Sequence, residues 1–240
     1  MDCGGSVPKN LLSQSSEFKI VAKSNSEAEI IIYGVIGGWY DGVTAAQFQK
    51  ELKALGDVKK ITVRLNSVGG DVFEGWTIYN LLKQHKAEVT VYVDGLAASI
   101  ASIIALSGDK VIMGEGSQIM IHSAWTGMYG NARDFEAIIT RLESIDEQLI
   151  KTYANKTGKD KEHIRTLVHA ETYFTADEAI ELGLADEKSG ESQAIAACLI
   201  QKMSAMGIKK LPKNLKTEND LTKEKLVNTK NKILQFTTRK

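Results

Sequence analysis

Residues 88–106 read EVTVYVDGLAASIASIIAL. Val89, Val91 and Val93 alternate with polar or aromatic neighbours, which is the two-residue period of a strand. Gly95 follows the alternation, and A-S-I-A-S-I-I-A-L is small, apolar and unbroken, the pattern of a short buried helix. A strand that runs through a glycine turn into a buried helix is half of a parallel crossover unit. Ser99 stands at the junction. A hydroxyl there can cap the helix, or it can be a nucleophile beside free N–H groups at the positive helix end. On this stretch alone the cap is the simpler account.

The same unit recurs on both sides. Strand patterns at 28–36 (AEIIIYGVI) and 60–66 (KITVRLN) each lead to helical spacing, at 43–55 and 71–85 respectively. Two short strands, K-V-I-M and Q-I-M-I-H, come after the buried helix. Alternating strands and helices predict a parallel sheet with right-handed crossovers, and the similar unit lengths predict repeats stacked in a spiral. A long helix is expected from about Ala132 to Asn155. In it Phe135, Ile138, Ile139, Leu142, Ile145 and Leu149 form one apolar stripe, and Gly158 is placed to end it. Thr175 and Glu178 have the spacing of a capping box before a last helix.

Composition sets the frame. A chain of 240 residues with 43% apolar and 25% charged residues fits one main globular domain with extensions. We expect a polar N-terminal extension over 1–26, the α/β domain over 27–190, and a partly helical tail over 191–240. The longest strongly apolar run, Gly95–Leu106, is shorter than the roughly 20 residues of a membrane span, and the first residues have no signal-peptide core. The expected location is cytoplasmic. Cys3 and Cys198 form neither a disulfide framework nor a metal spacing; Cys198 reads as packing and Cys3 as an exposed thiol. The four histidines lack H-x-x-x-H pairing, so no metal or other cofactor is expected. From Gly207 onward nine lysines and one arginine face three acids, a net +7. With Phe236 as its one aromatic residue, this tail reads as solvated chain rather than a nucleic-acid surface.

In a parallel sheet, chemistry collects at the carboxyl ends of strands. Three parts are expected at one such edge. Asn66-Ser67-Val68-Gly69-Gly70-Asp71 is a glycine turn able to aim N–H groups at a ligand, without the G-K-[ST] of a phosphate loop. Ser99 lies at a helix mouth, and His122 ends the strand Q-I-M-I-H. Each alone has an ordinary structural explanation. Together they are the parts of a nucleophile, a base and an oxyanion hole.

From Arg64 to Asp134 the motifs N-S-V-G-G-D-V, G-L-A-A-S-I-A-S, M-I-H-S and G-M-Y-G-N-A-R-D resemble the ClpP family of serine peptidases. E-T-Y-F-T-A-D-E-A-I-E-L-G-L-A-D, near the C-terminal end of the domain, does so too. The resemblance covers about Glu27 to Asp186. Within the family, G-D-V-F-E-G, A-W-T-G-M-Y-G-N-A-R-D and E-T-Y-F-T-A-D-E-A are similar to the head maturation proteases of phages and prophages.

The resemblance implies a ClpP/crotonase-like spiral of β-β-α units with a long protruding helix. It implies Ser99 as nucleophile, His122 as general base, and the N–H groups of Gly70 and Ile100 as the oxyanion hole. Glu171 stands where the family has an aspartate, and is expected to be the third member, with Thr172 as a hydrogen-bonding substitute or a Ser–His dyad as alternatives. Val68 replaces the usual proline and leaves the turn freer. Homo-oligomeric rings, possible stacking of rings through the Phe135–Leu149 stripe, and protein substrates follow from the family. The branch, together with the lack of a Walker motif, points to capsid or scaffold processing without ATP; a Clp-type ATPase partner is the alternative. A crotonase-type enolate enzyme, a Ser–Lys peptidase and a non-catalytic scaffold subunit remain competing classes.

Overall fold

The computed structural model describes residues 16–38 and 41–192. The expectations placed on Cys3, on Cys198 and on the basic tail lie outside the described residues. The chain forms a mixed α/β fold around a mostly parallel sheet, in agreement with the predicted class.

Strand β1 (Glu17–Ala22) pairs antiparallel with β2 (Glu27–Ile36). Next come β3 (Lys60–Gly70), β4 (Glu88–Ala98), β5 (Lys110–Glu115) and β8 (Glu187–Ser192), each parallel to its neighbour. Period-two alternation does the work here. Ile30, Val63, Val91 and Val111 are successive register partners, so one row of fully buried β-branched side chains crosses four strands. Helices α1 (Ala45–Ala54), α2 (Val72–Lys83) and α3 (Ile100–Ala105) bring Phe48, Ile78, Leu82 and Ile103 to that core. The outer row carries Tyr33, Arg64 and Asp94 instead. There the Tyr33 hydroxyl donates to Asp94 at 2.7 Å and Arg64 Nε at 2.9 Å, so the Asp94 carboxylate is paired where it is buried.

The alternation predicted strands ending at Asn66 and Asp94, but β3 and β4 continue to Gly70 and Ala98. Their second halves make different partnerships. Thr90–Val93 of β4 pairs with β5, whereas Leu96–Ala98 pairs with β6 (Gln118–Ile121). In β3 the register against β2 jumps from Ser67 to Gly69, leaving Val68 as the extra residue of a bulge. Small residues and a bulge hide a strand from any period-two test, which explains the early endings.

The long helix α4 (Ala132–Thr157) starts from a capping box between Asn131 and Asp134 and ends at Gly158 in the left-handed conformation, φ 67°. Its buried residues are Leu149, Ile150, Tyr153 and Ala154, all in the last turns, while Phe135 and Ile139 are 45% and 53% exposed. Among the described residues, the first half of the apolar stripe therefore meets no core. Helix α5 (Lys161–His169) and strand β7 (Thr172–Thr175) follow, and neither was anticipated. The predicted Thr175–Glu178 capping box opens α6 (Ala176–Leu182). Strand β1 lies within the segment read as a polar extension, where Phe18 and Ile20 pack on the core. Among the described residues no helix is long and apolar enough to cross a membrane.

Candidate active site

Strand β4 delivers its chain to Ser99 at the mouth of α3. Ser99 adopts φ 56°, ψ −132°, a conformation that a residue with a side chain rarely takes. It stands at the N-cap position, yet its side chain makes no capping hydrogen bond. The hydroxyl instead lies 2.7 Å from Nε2 of His122. The capping account of Ser99 is thereby excluded. The main chain fixes the two residues together, because the Ser99 N–H donates to the Met120 carbonyl on β6 at 2.9 Å.

The glycine turn packs against this junction. Gly69 has φ 88°, and a side chain there would come within 2.7 Å of both the Ser99 Cβ and the Ala98 carbonyl oxygen. Gly70 has φ 151°, and a Cβ on it would sit 2.0 Å from the Ile36 carbonyl oxygen. Only glycine lets the end of β3 approach the Ser99 loop at Gly69 and the end of β2 at Gly70 this closely. Ile100 is the first residue of α3, so its N–H belongs to the first turn, which has no intrahelical partner. Of the two expected oxyanion donors, Ile100 directly follows Ser99, and Gly70 directly follows Gly69, the glycine packed against Ser99.

His122 follows directly after β6. Antiparallel pairing matches Ile121 with Thr172, so His122 and Glu171 are the next residues beyond the paired ends of β6 and β7. Glu171 is held in the left-handed region, φ 51°, after the end of α5. Burial pushes the His122 pKa below the ordinary histidine value, while the charges of Glu171 and Asp146 act in the opposite direction. A neutral imidazole is the form that can take a proton. Thr172, the substitute third member, donates its hydroxyl to the Leu167 carbonyl at 2.7 Å.

Three residues near the pair were not singled out from the sequence. Ser102 Oγ donates to the Ser99 carbonyl at 2.5 Å and lies 2.6 Å from the Tyr153 hydroxyl. Asp146 accepts from the Ala124 N–H at 2.7 Å. Ser102 read as part of an apolar helix, and Asp146 and Tyr153 lie on α4 outside any catalytic motif. A serine three residues after a suspected nucleophile was the one available signal. Among the described residues no group of three or more His, Cys, Asp or Glu side chains is arranged to hold a metal ion.

A serine in a strained turn at a helix mouth, bonded to a strand-end histidine beside glycine backbone, is an arrangement that a serine hydrolase can use. The family model described as Clp protease matches residues 13–190, and the chain belongs to that family as a serine-type peptidase. Curated relatives agree. A protein of Porphyromonas gingivalis named ATP-dependent Clp protease proteolytic subunit is 31% identical over 157 residues, covering 63% of this chain and 71% of the relative. One of the same name from Bacteroides fragilis is 30% identical over 157 residues, covering 63% and 76%.

Proposed function

We propose that the chain is the proteolytic subunit of a Clp-type protease, with Ser99, His122 and Glu171 as its catalytic triad. The observation that carries this reading is the 2.7 Å hydrogen bond from a strained, uncapped Ser99 to His122. His122 takes the Ser99 proton as Oγ attacks the peptide carbonyl, and hands it to the departing amine. Water then cleaves the acyl-enzyme by the same route in reverse. The N–H groups of Gly70 and Ile100 hold the oxyanion, and each such donor is worth about 10²–10³ in rate. Glu171, the residue just before β7, stabilises the imidazolium through its charge.

The names of the relatives favour a partner ATPase that unfolds and feeds protein substrates. Capsid or scaffold processing without ATP rests on sequence motifs alone, and it gives way to the ATPase-coupled reading. The exposed half of α4, with Phe135 and Ile139 on its surface, supports assembly into rings and their stacking. The test is hydrolysis of a short peptide and of a folded protein, with and without a Clp-type ATPase and ATP. Peptide turnover alone, with folded substrate cleaved only in the presence of the ATPase, is expected. Cleavage of folded capsid protein by the chain alone would reverse the choice.

A further inference from the structure

Asp146 and Tyr153 are seven residues apart on α4, which places them on one face two turns apart. Each reaches one half of the Ser99–His122 pair. Asp146 Oδ1 accepts from the N–H of Ala124, two residues beyond His122, at 2.7 Å. Tyr153 reaches Ser102, whose hydroxyl donates to the carbonyl of Ser99. That carbonyl can only accept, so the single Ser102 proton lies on it and Tyr153 is the donor in the 2.6 Å contact.

We propose that this face of α4 sets the alignment of the catalytic pair: Tyr153 fixes the main chain of the nucleophile through Ser102, and Asp146 fixes the segment that follows the histidine. The proposal rests on the reading of Ser99 and His122 as that pair. Burial gives the contacts their weight. Ser102 is 0% and Tyr153 1% exposed, so neither hydroxyl can turn to water if its bond is lost. A phenylalanine would fill the same space with no polar group to satisfy, yet the tyrosine is bonded to the helix of the nucleophile. A positive-φ serine persists only where its surroundings over-determine it. The Ser99 carbonyl receives two donors, Ser102 N–H at 2.9 Å and Ser102 Oγ at 2.5 Å. Asp146 and Tyr153 are positioning residues, since neither touches a reacting atom.

The experiment measures kcat, KM and the pH profile of peptide hydrolysis for wild type, Ser99→Ala, Asp146→Ala, Asp146→Asn and Tyr153→Phe. Thermal unfolding is recorded for each. Loss of alignment should lower kcat about ten- to a hundred-fold in Asp146→Ala, with KM little changed. Asp146→Asn should recover most of kcat, because its amide oxygen accepts the same N–H. Its acid limb should fall at lower pH than that of wild type, since the Asp146 charge that favours the His122 imidazolium is then removed. Tyr153→Phe should lose several-fold in kcat while staying folded. Folded Tyr153→Phe and Asp146→Ala with wild-type kcat and pH profile would overturn the proposal, as would an asparagine variant no better than alanine. Ser99→Ala separates the two levels. Turnover surviving in it sinks the reading of the pair, whereas a dead Ser99→Ala beside normal α4 variants sinks only the positioning role.

Discussion

Ser99 holds a backbone conformation that glycine would take without strain, φ 56° and ψ −132°. Such a residue costs of order 1–3 kcal/mol, and the cost is tolerated where geometry serves chemistry. Ser99→Gly and Ser99→Ala should both abolish hydrolysis, but the glycine variant should be more stable by about 1 kcal/mol, read from denaturant midpoints at equal m. Equal stabilities would mean the turn carries no strain. The electrostatics of His122 give a second prediction. Its pKa is depressed chiefly by burial, so the neutral imidazole, the form able to accept a proton, persists below the ordinary value of about 6.5. The acid limb of kcat/KM should therefore fall below that pH. Glu171→Gln removes a charge that favours the imidazolium, so the limb should move lower still while kcat drops. An upward shift would contradict the role given to Glu171. Ser99 and His122 were legible as a pair, because a glycine turn, a serine at a helix mouth and a strand-end histidine were expected at one sheet edge, although each alone had an ordinary structural explanation. Asp146 and Tyr153 were not, because their relation to the pair is set by how α4 packs, and no spacing along the chain records it.

The elements around the turn show where sequence patterns stop being informative. Strands β3 and β4 are clear while valines and isoleucines alternate, and become unreadable where Ser67, Gly69, Gly70, Ala97 and Ala98 take over. Those small residues are there because backbone must approach backbone, a demand that leaves no periodic trace. Caps were more transparent: Thr175 with Glu178 and the terminal Gly158 appear as their chemistry predicts. Helix α2 carries a close approach of the same kind. A Cβ on Gly75 would lie 2.2 Å from Cγ1 of Ile100, the residue after Ser99. Gly75→Ala gains about 1 kcal/mol in helix propensity but forces Ile100 aside, for which overpacking costs about 1–3 kcal/mol. We expect a lower melting temperature and a reduced kcat together. Val68 is the opposite case. It is the unpaired residue of the β3 bulge against β2, a position where proline is tolerated. Val68→Pro should leave peptidase activity equal or higher, and a large loss would refute this account of the turn.

For the molecule as a whole, the core is gathered around the sheet and the last turns of α4, while the first half of that helix is left apolar and exposed. Trp125, just ahead of it, is 58% exposed, and Phe73 on α2 lies 5.2 Å from the Arg141 guanidinium. Ile139→Asp removes no buried contact, so stability should change by no more than about 0.5 kcal/mol. Sedimentation should nonetheless show a smaller assembly; an unchanged oligomer would assign the stripe another role. The class of fold was readable from alternating strands and helices, whereas which half of the α4 stripe is buried is a matter of packing that the spacing of its residues does not record.

The most direct measurement is labelling with a fluorophosphonate probe, with the modified residue located by mass spectrometry in wild type and in His122→Ala. A serine activated by His122 predicts stoichiometric modification of Ser99 in the wild type and a rate lower by about 10²–10⁴ in the variant. Folded wild type that leaves Ser99 unmodified, or equal rates in the two proteins, would contradict the assignment of this pair as the catalytic centre.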